Sequence, residues 1–194
     1  MATLAATDLR ARRLVIEHLS IEIEGRRLDD VQLGGWVYGP ELGTAPVVLI
    51  VGGITASPFP FGDGQSDGDD DTRAAWWPAL CAPDLIDPAK HTVLCPSWPG
   101  NGSTWKGFDD PNSNDFISVA GLADLVAAWL DGCGCSIPVT WVGASLGGMV
   151  GVVFAARHAA RCAKHVTISA GLRPDGWGTA TRHLQRELVR DGLR

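Results

Sequence analysis

Val139-Thr140-Trp141-Val142-Gly143-Ala144-Ser145-Leu146-Gly147-Gly148-Met149-Val150-Gly151 runs from a β-rich segment, through a serine set between glycines, into a small-residue apolar segment. Pro138 to Val142 reads as a short strand, and Leu146 to His158 as a helix whose small residues let it lie close on a sheet. Gly143-x-Ser145-x-Gly147 alone is a modest signal, because small residues fill many ordinary turns. Strand, turn and helix in that order make it the context of a nucleophile elbow. In such a turn the serine backbone is strained and its neighbours approach other backbone, so Gly143 and Gly147 stand where a Cβ would collide. Ser145 is therefore the candidate nucleophile, held out of a sheet at its C-terminal edge.

Working outward, Val47 to Val51 is a continuous apolar run, the pattern of a strand buried on both faces, and it stops at Gly52-Gly53. Leu14 to Ile23 and Val31 to Tyr38 precede it as an antiparallel entry to the sheet. Ala74 to Leu80 reads as a short helix carrying Trp76 and Trp77, and Thr92 to Cys95 as another buried strand. A loop rich in Pro, Gly and Trp follows through Phe108. Ile117 to Leu130 has helical spacing, with Leu122, Leu125, Val126 and Trp129 on one face. Val166 to Ser169 is a further strand and Ala180 to Val189 a final, more polar helix. Alternating strands and helices give right-handed crossovers, hence an α/β fold with a mainly parallel sheet. The expectation is a single domain over 1–194, with a mobile acidic loop at 62–71, where only Gly, Asp, Ser and Gln occur.

With 194 residues, 45% hydrophobic and 20% charged, the chain has ordinary globular composition. A formal net charge of -6 without clustered Lys and Arg argues against nucleic-acid binding. No apolar stretch is long enough to span a bilayer, and Met1 to Arg13 lacks the apolar run of a secretory signal, so a cytoplasmic location is expected. Cys81, Cys95, Cys133, Cys135 and Cys162 read as reduced thiols, and Cys133-Gly134-Cys135 lacks the further ligands a structural metal needs. Asp67, Asp69 and Asp71 resemble a calcium loop only superficially, since the following glycine and the bidentate Glu are missing. No metal site is expected.

A serine hydroxyl is a weak nucleophile by itself, so acyl chemistry at Ser145 needs a base and donors for the developing oxyanion. The backbone N–H of Leu146, at the helix start, is one candidate donor. The N–H of Ile54, in Gly52-Gly53-Ile54-Thr55 after the first parallel strand, is the other. The base is not located. In this architecture an Asp or Glu and then a His should follow the serine. His158 stands about 20 Å away along the helix at 1.5 Å per residue, His165 starts a strand at its wrong end, and His183 is a surface residue beside Arg182 and Arg186. His18 and His91 precede the elbow.

Several separated segments together resemble the homoserine O-acyltransferases, a family with the α/β-hydrolase fold. They are Gly52-Gly53-Ile54-Thr55-Ala56, Trp76-Trp77 followed by Asp87, Gly100-Asn101-Gly102-Ser103-Thr104, Gly143 through Met149, and Gln185-Arg186. The resemblance implies transfer of an acetyl or succinyl group from acyl-CoA, a co-substrate and not a bound cofactor, to the hydroxyl of L-homoserine through an ester on Ser145. It implies that Arg186 holds the substrate carboxylate, and that the full-length protein is a homodimer. Family members continue past the Gln-Arg helix through a helical lid and strands that supply the catalytic Asp and His. The fold is thus expected to be cut short before its last strands and most of the lid, and inactive by itself. Two other readings stay open: a serine esterase of the same fold, and a truncated remnant without catalysis.

Overall fold

The computed structural model describes residues 10–62, 74–82, 84–99, 117–171 and 176–192. These form one six-stranded sheet of β1 (Arg12–Ile23), β2 (Arg26–Tyr38), β3 (Val47–Val51), β4 (Thr92–Pro96), β5 (Val139–Ala144) and β6 (Cys162–Ile168), ordered β1-β2-β4-β3-β5-β6. β1 pairs antiparallel with β2, and β2 with β4, while β4, β3, β5 and β6 are parallel neighbours. The antiparallel entry and the parallel remainder are as the sequence predicts.

Alternation along β3 sends Val47, Leu49 and Val51 to one face and Val48 and Ile50 to the other. Both faces are covered, which is why the strand is apolar at every position. On the first face lie α1 (Val119–Gly132) and α2 (Leu146–Arg157). α1 starts at Ser118, whose hydroxyl accepts from the N–H groups of Ala120 (3.1 Å) and Gly121 (3.2 Å). Its predicted face of Leu122, Leu125, Val126 and Trp129 is buried in the core. Each such large apolar side chain contributes roughly 1.5–3 kcal/mol when fully buried. The second face is covered by loop residues, among them Phe59 and Ile86.

Three expectations are corrected. Trp76 and Trp77 stand before a single 3-10 turn, Pro78–Leu80, and no helix spans 74–80; Pro78 lacks the N–H that a longer helix would use. β6 begins at Cys162, so His165 lies mid-strand opposite Trp141 and does not start the strand. The polar residues of β6 hid its first half, because among the described residues it pairs on one side only and Val166 is 44% exposed. The last helix, α3 (Gly176–Gly192), is longer than 180–189 at both ends and has no buried residue. The Gly100–Thr104 segment and nearly all of the acidic loop lie outside the described residues.

α1 and α2 are clamped at a partly buried carboxylate. Asp124 accepts from Arg157 Nε (3.0 Å) and Nη2 (2.7 Å), and its other contact is His158 Nε2 at 2.9 Å. Burial opposes ionisation of Asp124, but the hydrogen bonds from Arg157 and His158 outweigh it and hold the carboxyl below its ordinary value. A lowered folded-state value stabilises the fold above the ordinary Asp range, and that contribution is lost as pH falls through the lowered value. Asp124→Asn should therefore cost about 1–3 kcal/mol near neutral pH, with the gap to wild type closing in acid; urea titrations across pH check this, and a gap independent of pH would contradict it. Gly147→Ala would place a Cβ 2.1 Å from the Val51 carbonyl oxygen. It should destabilise by about 1–3 kcal/mol or more, whereas Gly176→Ala, with nothing within 4 Å, should stay within about 0.5 kcal/mol.

Candidate active site

Connections from β3 and β5 leave in opposite directions, β3 toward β4 and β5 toward β6, so the crevice between their C-terminal ends is a topological switch point, where ligands of open α/β sheets bind. Ser145 sits there, between β5 and α2, exposed, with φ +52° and ψ -117°. A non-glycine residue in that region is strained and persists only where its surroundings hold it. Its N–H donates to the Ile168 carbonyl at the end of β6 (3.0 Å), and its own carbonyl accepts from the N–H of Gly148 (3.0 Å). The two motif glycines are sterically required. A Cβ on Gly143 would lie 2.3 Å from the Gly147 oxygen, and one on Gly147 would collide with the carbonyls of Val51 and Gly52.

The loop after β3 packs against this turn. Gly147 donates its N–H to the Gly52 carbonyl at 3.0 Å. A Cβ built on Gly53 would be 3.6 Å from Ser145 Cβ and 3.8 Å from its Oγ, so the loop borders the hydroxyl directly. Ile54 follows in a turn closed by Ala56 N–H on the Gly53 carbonyl (3.1 Å), with its side chain 69% exposed. Leu146 is the first residue of α2, so its N–H has no acceptor within the helix and lies at the positive end of the helix dipole. The structure thus brings Ser145, Leu146 and the Ile54 loop together.

It does not bring a histidine to them. Among the described residues Ser145 Oγ has no hydrogen-bonded base. His158 is bound to Asp124 at the far end of α2. His165 Nε2 is 2.7 Å from Thr167 Oγ1 on the face that meets α2, and burial lowers its pKa. His18 pairs with Asp30 in the β1–β2 ribbon (2.6 Å), His91 caps the carbonyl of Asp87 (3.1 Å), and His183 is exposed on α3. Arg186 is exposed on α3. It borders a depression of about 440 Å³ lined by Arg182, Gln185, Arg186, Val189 and Arg190, all on α3, which is a groove along one helix. Burial pushes the Cys133 thiol up to about 12 and that of Cys135 upward, leaving both protonated. No group of three or more metal-ligating side chains is assembled, and no helix is long and apolar enough to cross a membrane, among the described residues.

Two residues around the elbow escape a sequence reading. Trp141 is fully buried and donates its indole N–H to the Gly147 carbonyl at 2.9 Å, and Trp98 donates to the Gly52 carbonyl at 3.3 Å. The available signal was the period-2 placement of Trp141 on the same side of β5 as Gly143.

The chain is similar to known acyltransferases. It is 30% identical over 131 residues to an L-serine/homoserine O-acetyltransferase of Streptomyces lavendulae, covering 62% of this chain and 35% of that protein. With a homoserine O-succinyltransferase of Xanthomonas campestris pv. campestris it shares 33% identity over 153 residues, 75% of this chain and 36% of the other. It spans about a third of the length of these curated relatives. Among solved structures, homoserine O-acetyltransferase from Staphylococcus aureus superposes with a TM-score of 0.75 at 17% identity, over 94% of this chain and 54% of that one. Esterase E22 gives 0.70 at 17% identity, over 88% and 50%. Residues 46–190 match the α/β hydrolase fold family, from just before β3 into α3. With the sheet order, the strained serine after β5 and this match, the chain belongs to the α/β-hydrolase fold family.

Proposed function

We propose that the protein moves an acetyl or succinyl group from acyl-CoA to the hydroxyl of L-homoserine through an ester on Ser145. The observation that carries this reading is Ser145 held at φ +52° against the Gly52–Ala56 loop, in a chain whose curated relatives are named homoserine acyltransferases. In the first half-reaction Ser145 Oγ attacks the thioester carbonyl, and the N–H groups of Leu146 and Ile54 receive the oxyanion. The C–S bond then breaks, CoA leaves as its thiol, and the acyl group stays on Oγ. In the second, the homoserine hydroxyl attacks that ester and Ser145 regains its proton. Arg186, exposed on α3 and without an acidic partner among the described residues, is the proposed ligand of the homoserine carboxylate, where a guanidinium binds in bidentate fashion.

Both half-reactions need a base at Oγ, and none is in place among the described residues. Loss of a triad member costs several powers of ten in rate, so acylation and deacylation without such a base are expected to be slow. Both steps slow together, so the ester, once formed, is longer-lived. The esterase reading draws on the same serine and on the likeness to esterase E22, and the acceptor decides between them.

Prolonged incubation with acetyl-CoA or succinyl-CoA should add one acyl group, mapped to Ser145 by mass spectrometry and absent from Ser145→Ala. L-homoserine should discharge it to the O-acyl product faster than water does. Acylation that persists in Ser145→Ala, or discharge indifferent to homoserine, would refute the transferase. Arg186→Ala should raise the half-saturating homoserine concentration by roughly 10–100-fold, the equivalent of one charge-assisted pair, while acylation by acyl-CoA stays unchanged. An equal loss in both half-reactions would remove Arg186 from acceptor binding.

A further inference from the structure

We propose that Trp98 and Trp141 are positioning residues that fix the separation and orientation of the two backbone segments receiving the oxyanion; this rests on Ser145 being the nucleophile. The observation is a run of hydrogen bonds closed at both ends by buried indoles. Trp98 Nε1–H donates to the Gly52 carbonyl (3.3 Å), the same carbonyl accepts from the N–H of Gly147 (3.0 Å), and the Gly147 carbonyl accepts from Trp141 Nε1–H (2.9 Å). Trp98 is 5% exposed and Trp141 0%.

The anchored peptides adjoin those that carry the proposed donors. The peptide joining Leu146 to Gly147 is held through its N–H, and the next one through its carbonyl, so the orientation of Leu146 is constrained from its C-terminal side. The Gly52 carbonyl, with two donors on it, fixes the peptide immediately before the one bearing the Ile54 N–H. Packing alone does not require this. An apolar side chain would fill either site, whereas tryptophan adds an N–H to a large apolar ring, and both indoles spend that N–H on backbone of the candidate site. The fit of Trp141 is also specific. A Cβ on Gly143 would lie 2.7 Å, and one on Gly151 2.3 Å, from its Nε1, while its ring packs on Phe154 at 4.9 Å between centroids. Placement matters because a misplacement of about 1 Å at a reacting centre costs about 10²-fold in rate.

Trp98→Phe and Trp141→Phe keep a ring and remove the donor. Two readouts decide: the rate constant for acylation of Ser145 at constant final extent, since the extent counts folded sites, and amide hydrogen exchange of the Ser145–Gly148 and Gly52–Ile54 segments. Each variant should slow acylation by about tenfold or more at unchanged extent, and speed exchange at the elbow by a similar factor. The double variant should lose less than the product of the singles, because both indoles act on one hydrogen-bonded run. Folded variants with wild-type acylation and exchange, differing only in melting temperature, would overturn the proposal. Absence of acylation in every protein, wild type included, would sink the reading of Ser145, and exchange would still decide the role of the tryptophans. If a Phe variant fails to fold, Gly151→Ala, which displaces the indole, gives the same two readouts.

Discussion

The contact on which the rest depends is between backbone and backbone, where Gly147 in the first turn of α2 lies on the end of β3. Its N–H reaches the Gly52 carbonyl at 3.0 Å, and a Cβ in its place would lie 2.1 Å from the Val51 oxygen. No L side chain fits there without movement of a strand. The approach sets how close α2 lies to the sheet, and so where the turn carrying Ser145 comes out. It also docks the Gly52–Ala56 loop beside that turn, so one glycine places the proposed nucleophile and both proposed oxyanion donors.

Strain and electrostatics at the elbow follow from the same contact. Ser145 occupies a region of φ that costs of order 1–3 kcal/mol, and β5, β6 and α2 hold it there through the Ile168 carbonyl and the first helical bonds. In return the hydroxyl stands clear of the sheet and the helix N-terminus faces the switch-point crevice, where negative charge would develop during acyl transfer. The Asp124 clamp secures the far end of α2 to α1, so the helix is fixed at both ends.

Much of this was legible in the residues. β3 showed as five apolar positions in a row because both faces are covered, and the elbow showed because only glycines survive the contacts around Ser145. β6 was read short, since a strand half open to water carries the exposed Lys164 without penalty. The helix expected at 74–80 failed because an apolar pair, Trp76-Trp77, serves packing in a loop as well as in a helix: the two rings stack at 5.1 Å and pack against the second core face. The hydrogen bonds of Trp98 and Trp141 were invisible, because a tryptophan in a strand or loop reads as bulk and its N–H partner depends on a register known only after folding.

The central claim is that Ser145, Leu146 and the Ile54 loop form one acyl-binding centre. The most direct measurement is a crystal structure of the protein after reaction with a fluorophosphonate, whose tetrahedral phosphorus stands in for the acyl intermediate. The account predicts an adduct on Ser145 Oγ with a phosphoryl oxygen about 3 Å from the N–H groups of both Leu146 and Ile54. Modification of another residue, or an adduct on Ser145 whose oxygen points to solvent away from both amides, would contradict it.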